Sequence, residues 1–170
     1  MLGPLLFLIY INDLEENIKS QISVSIAGEG PKIYRVELQD FVKKNNLQDF
    51  VRFVGVTSNV PKFLYYADLF VMSSAWEGSP IALTEAAISG LPCIVTNVGG
   101  CSEIIERSSN GTVIEPNDSQ AIAHEITNFV LNKSLIEKFS QNAIDRTEQY
   151  SIKKAANSHV SLYNLSIAKQ

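Results

Sequence analysis

Histidine, cysteine and excess basic charge are all scarce in this chain of 170 residues, and each scarcity removes a class of chemistry. The two histidines, His124 and His159, and the two cysteines, Cys93 and Cys101, fall at no metal-ligand, nucleophile or disulfide-framework spacing. No metal site is expected, and the cysteines read as structural thiols of a reducing compartment. The formal charge is -4, and no basic stripe interleaves with aromatics, so nucleic acid is not an expected partner. No apolar run is long enough to cross a membrane. The opening LGPLLFLIYI is apolar for about ten residues where a span needs roughly twenty, and it lacks the basic start and the cleavage site of a signal peptide. Asn110-Gly-Thr, Asn132-Lys-Ser and Asn164-Leu-Ser match the glycosylation tripeptide, but with no export signal they read as chance matches.

What is present is an ordinary globular composition, 45% hydrophobic and 19% charged, without repeats or low-complexity tracts. A chain of this length suits one domain. Short runs rich in β-branched residues predict strands at Ile22 to Ala27, Val51 to Gly55, Leu69 to Ser74, Pro92 to Asn97 and Thr112 to Pro116. Between them, Ile33, Leu38, Phe41 and Val42 suggest one helical face, and Val60, Phe63, Leu64 and Ala67 a shorter one. From Asp118 the pattern is wholly helical. Ile122, Ile126, Phe129 and Val130 form one stripe, Leu135, Phe139 and Ala143 a second, and Ile152, Ala155, Ala156 and Tyr163 a last one. The expected fold class is α/β: a Rossmann-like, doubly wound parallel sheet with helices on both faces and a helical C-terminal region. Residues 1–20 are set apart as a poorly defined N-terminal segment, and residues 21–170 as the Rossmann-like domain. Ligands of such sheets bind beyond the carboxyl ends of the strands.

One such end carries WEGSPIALTEAAISGLPCIVTNVGG, Trp76 to Gly100. Ser79 is expected as the N-cap and Pro80 as the first residue of a helix running to about Ser89. The free N–H groups of its first turn would then point into the crevice and suit a phosphate. Helical side chains lean toward the N-terminus, so Glu85 can reach the same crevice, where hydroxyl donors would satisfy its carboxylate. Glu77 faces that space from the loop. Two acceptors flanking a row of amide donors suit a ligand with hydroxyls at both ends and a diphosphate between them.

The segment from Glu77 to Gly100 resembles the donor-binding segment of retaining glycosyltransferases of the GT-B fold, in which two glutamates separated by seven residues precede an apolar strand and a Gly-Gly loop. IAGEGP, VRFVG, VPKFLYYADLFVMSS and GTVIEPND match in the same order, so the resemblance spans about Ile22 to Val130. It implies transfer of a sugar, with retention, from a nucleotide diphosphate sugar to a glycan or lipid-linked acceptor, with no metal cofactor required. It implies that Glu77 contacts the transferred sugar and its reacting centre. Glu85 would bind the ribose hydroxyls, and the stretch Gly78, Ser79, Pro80, Ile81, Ala82 and Leu83 would hold sugar and phosphate. Gly28, Gly55, Val56, Gly99 and Gly100 are further donor-site candidates. The implied location is the cytoplasm, at the inner face of the membrane where a lipid-linked acceptor is met, and no oligomeric state is implied.

The sequence departs from that pattern at its start. The family places an Arg and a Lys on the diphosphate upstream of the glycine turn, and MLGPLLFLIYIND contains neither. The same stretch resembles retroelement reverse transcriptases, but Tyr66-Ala67-Asp68-Leu69 lacks the second aspartate of their metal site, so polymerase chemistry is not expected. A foreign or truncated start in place of a first domain is the expectation. The alternative function is an isolated nucleotide-sugar-binding module that transfers nothing.

Overall fold

A computed structural model describes residues 18, 22–28, 32–151, 153–154, 156–157 and 160–161, the side chain of Gln149 excepted. The opening apolar run, Gly30, His159, Asn164, Ile152, Ala155 and Tyr163 lie outside the described residues.

Strands β1 (Val24–Ala27), β2 (Val51–Gly55), β3 (Phe70–Met72), β4 (Cys93–Thr96) and β5 (Gly111–Ile114) alternate with helices α1 (Lys32–Lys44), α2 (Val60–Tyr65), α3 (Ile81–Ile88) and α4 (Cys101–Ser108). Two consecutive helices follow, α5 (Ser119–Leu131) and α6 (Lys133–Arg146), and then a 3-10 turn at Thr147–Tyr150. All strand pairs are parallel, in register Val24 to Val51, Phe70 to Cys93 and Cys93 to Gly111. The described strands form two sheets, β1-β2 and β3-β4-β5, where the sequence suggested one. Ile22 packs into the cores of both.

β4 is central to its sheet and buried at every residue, which is why CIVT reads as a continuous apolar run instead of an alternation. Ile94 faces Ile122, Ile126 and Phe129 of α5, with Ile18 in the same cluster. Cys93 and Val95 face the other way, toward Leu83 and Ala86 of α3 and Ile105 of α4. Helices thus cover both faces of this sheet. The small side chains of α3 bring its axis close to the strands, with Leu83, Ala86 and Ala87 at 0%, 0% and 1% exposure.

One helical expectation fails. Leu38 and Val42 of α1 are buried, but Ile33 is 66% exposed. At about 100° per residue Ile33 sits roughly 140° around the helix from Leu38, so it does not belong to the face that packs on β1 and β2.

Candidate functional site

The carboxyl ends of β3 and β4 carry two loops that lie directly on one another. Gly100 N–H donates to Gly78 O at 3.1 Å. Gly99 has φ of +52°, and a Cβ built on it would stand 2.0 Å from Glu77 O, so only glycine permits this approach. Thr96, the last residue of β4 and buried, donates its hydroxyl to Ser74 O at 2.6 Å and secures the start of the Glu77 loop. Ser74 Oγ donates to Glu77 Oε1 at 2.7 Å. The Glu77 carboxylate is therefore held by its own loop, while the backbone beneath it is clasped by Gly99 and Gly100.

The start of α3 differs from the sequence expectation. Ser79 is exposed and caps nothing; Pro80 is itself the N-cap, with extended backbone at φ -76° and ψ 96°, and Ile81 is the first helical residue. Pro80 is buried, and its Cδ is 3.8 Å from where a Cβ on Gly100 would stand. Pro80 thus lies against the Gly99-Gly100 loop, one position before the first helical residue. Its carbonyl accepts from Thr84 N at 3.2 Å, as an N-cap carbonyl does. Because proline has no side-chain acceptor, no cap hydrogen bond closes this end of the helix. The amides of Ile81, Ala82 and Leu83 precede the first helical bond and carry the positive end of the dipole.

Glu85 lies on the same helix, half-buried, and its carboxylate makes no hydrogen bond or ion pair with any described residue. An acceptor kept partly dry and without a partner is disposed to take donors from a ligand. Cys101 opens α4 just past Gly100 and is fully buried. Burial pushes its thiol up, and the neighbouring Glu77 carboxylate adds to the rise, so it is a poor nucleophile.

Gly28, Gly55 and Val56 form a second group, at the carboxyl ends of β1 and β2. Gly28 N donates to Gly55 O at 2.8 Å, and both glycines have positive φ, +111° and +76°. No hydrogen bond among the described residues ties this pair to the Glu77 loop. Val56 is 69% exposed. Trp76, just before Glu77, is 82% exposed and covers no core. Tyr65 and Tyr66 are exposed and stack edge-to-face on each other. Glu103 lies in the first turn of α4 and pairs with Arg107 one turn on, as a surface residue would. Among the described residues no group of His, Cys, Asp and Glu could hold a metal ion.

Sequence reasoning missed Ser74 and Thr96. Both belong to segments read simply as strand ends, and the only available signal was the three-residue spacing from Ser74 to Glu77.

The chain matches the family "Glycosyl transferases group 1" over residues 3–146. It is 32% identical over 127 residues to the UDP-Gal:alpha-D-GlcNAc-diphosphoundecaprenol alpha-1,3-galactosyltransferase of Escherichia coli, covering 72% of this chain and 31% of that protein. It is 30% identical to the lipopolysaccharide core biosynthesis mannosyltransferase LpsB of Rhizobium meliloti, covering 79% of this chain and 39% of that one. The chain therefore spans about a third of the length of these curated relatives. Among solved structures, Anabaena Alr3699/HepE in complex with UDP superposes with a TM-score of 0.84 at 21% identity, over 96% of this chain and 45% of that one. The C-terminal domain of the group 1 glycosyl transferase LpcC of Francisella tularensis superposes at 0.77 with 28% identity, over 88% of this chain and 80% of that one. With the family match running through most of its length, and with the sheet order and site loops described above, the chain belongs to the glycosyl transferases group 1 family.

Proposed function

We propose that residues 77–85 and the Gly99-Gly100 loop form the donor site of a retaining glycosyltransferase. The site would hold a nucleotide diphosphate sugar whose sugar passes to a glycan or lipid-linked acceptor in polysaccharide or glycolipid assembly. Glu77 would meet the transferred sugar and Glu85 the ribose hydroxyls. The uncapped amides of Ile81 and Ala82 would meet the phosphates, where negative charge develops as the bond from the anomeric carbon to the leaving phosphate breaks, whereas Leu83, expected there from the sequence, is wholly buried against the sheet.

The observation that carries this reading is a helix start with no side-chain cap, four residues after Glu77, which Ser74 orients, and four before Glu85, which has no partner among the described residues. A phosphate meets donors there, and hydroxyls meet acceptors on either side. Donor binding without a metal is part of the reading, as is a cytoplasmic site of action at a membrane carrying the acceptor. No helix among the described residues is long and apolar enough to cross a membrane.

The test is titration of the full chain with UDP, UDP-glucose and a panel of other nucleotide sugars, with and without EDTA, followed by protein NMR. Shifts clustering from Glu77 to Glu85 and unaffected by EDTA are expected. A panel that moves no resonance in that segment would sink the reading.

A further inference from the structure

We infer that Ser74 is a positioning residue for Glu77, and that Thr96 braces it, so that the orientation of the sugar-facing carboxylate is set by a short relay running from β4 through the end of β3. This deepens the donor-site reading and rests on it. The relay has two bonds. Thr96 Oγ1 donates to the Ser74 carbonyl at 2.6 Å, and Ser74 Oγ donates to Glu77 Oε1 at 2.7 Å.

Each bond fixes something different. Thr96 is 2% exposed at the end of a strand buried along its whole length, so its hydroxyl is as well located as any atom in the fold. Its bond sets where the chain leaves β3. The second bond acts on a side chain: it occupies Oε1 of Glu77 and leaves Oε2 for a ligand hydroxyl. A glutamate on a loop otherwise samples several rotamers, and ordering it on binding would cost affinity. A hydroxyl three residues back, presented by a braced strand end, removes much of that cost before the ligand arrives. The backbone of Glu77 is fixed independently by Gly99 and Gly100, so the carboxylate is the part left for Ser74 to orient.

Ser74 touches no reacting atom in this scheme, so its role must be separated from general support of the loop. The experiment uses the full chain with UDP and UDP-glucose as probes, in wild type, Ser74→Ala, Ser74→Thr and Glu77→Gln. The free protein is also observed through the carbon-13 resonance of the Glu77 carboxyl. Ser74→Ala is expected to move that resonance and to weaken UDP-glucose about tenfold while leaving UDP unchanged, because only the sugar meets Glu77. Ser74→Thr, which keeps a donor at the same place, is expected to restore both. Equal losses for UDP and UDP-glucose in Ser74→Ala would indicate a merely structural residue and overturn the inference. If Glu77→Gln weakens UDP-glucose but Ser74→Ala changes neither affinity nor resonance, the positioning role is overturned while the donor site stands. If UDP-glucose binding is indifferent to Glu77→Gln, the donor reading fails, and a resonance unmoved in Ser74→Ala would overturn the positioning role separately.

Discussion

Gly99 lies against the backbone of Glu77 so closely that the smallest side chain would put a carbon 2.0 Å from the Glu77 carbonyl oxygen. The obstacle is backbone, which cannot swing aside as a long side chain would, and φ at Gly99 is +52°, a region that costs an L-residue extra. Gly99→Ala is therefore expected to lower stability by about 2 kcal/mol or more and to displace the Glu77 loop. Urea unfolding measures the first. Gly78→Ala is the control, since a Cβ there meets nothing within 4 Å; equal losses in the two variants would show that the close approach is not what Gly99 supplies.

Glu85→Ala should separate binding from stability. The carboxylate has no partner among the described residues, so its removal costs no internal bond, and stability should stay within about 0.5 kcal/mol of wild type. Donor affinity should fall by about one to two decades if ribose hydroxyls supply its hydrogen bonds, since a charge-assisted bond contributes roughly 1.5–3 kcal/mol. Calorimetric titration with a nucleotide sugar that shows unchanged affinity would remove Glu85 from the site.

Much of this was legible from residue order because parallel strands advertise themselves. β2 falls where VRFVG placed it, and Asp118, the first residue of the wholly helical pattern, proves to be an N-cap, accepting from Ala121 N at 2.9 Å. Local propensity misled at the start of α3. Serine then proline is a favourable cap and first turn, yet the Gly99-Gly100 loop packs over Pro80 and the helix begins one residue later. That loop is about twenty residues away in sequence, so no local rule contains it. The same limit hid Thr96. Nothing in CIVT reveals that its last hydroxyl reaches the carbonyl of Ser74, two residues past the neighbouring strand, and without that bond Ser74 is only a small residue near a strand end. Ile33 was a simpler error of helical phase.

The buried thiol of Cys93 contributes to the loss of stability at alkaline pH, beside Cys101 and Tyr150, whose groups burial also pushes up. Burial in the centre of its sheet pushes the thiol up to about 12 from its ordinary 9.0, with the Asn110 hydrogen bond acting weakly in the opposite sense. The unfolded chain therefore loses this proton near pH 9 while the folded chain keeps it. Stability supplied by the protonated thiol is complete below about pH 9 and is lost as pH rises toward about 12. Denaturant midpoints should fall over that interval, and Cys93→Ala should flatten the fall even if it lowers the starting value. An unchanged slope would assign alkaline unfolding to other groups.

Asn110 offers a prediction about the fold and about modification together. Its side chain is fully buried; Nδ2 donates to Leu91 O at 2.6 Å, and Oδ1 accepts from Ser108 Oγ. The amide nitrogen that a glycan would need is thus occupied and inaccessible in the folded chain, in keeping with a chance match to the acceptor tripeptide. Asn110→Ala removes two buried hydrogen bonds and leaves the Leu91 carbonyl only the weak thiol donor of Cys93, while the Ser108 hydroxyl keeps Ile104 O at 2.7 Å, a loss of about 1–3 kcal/mol. Thr112→Ala also removes the tripeptide, but it deletes only a half-buried hydroxyl that donates to Glu125 at 3.2 Å, and it should cost no more than about 1 kcal/mol. Chemical denaturation of both variants decides the matter. A milder effect of Asn110→Ala than of Thr112→Ala would mean that the buried amide does not hold the end of α4 against the strand below it.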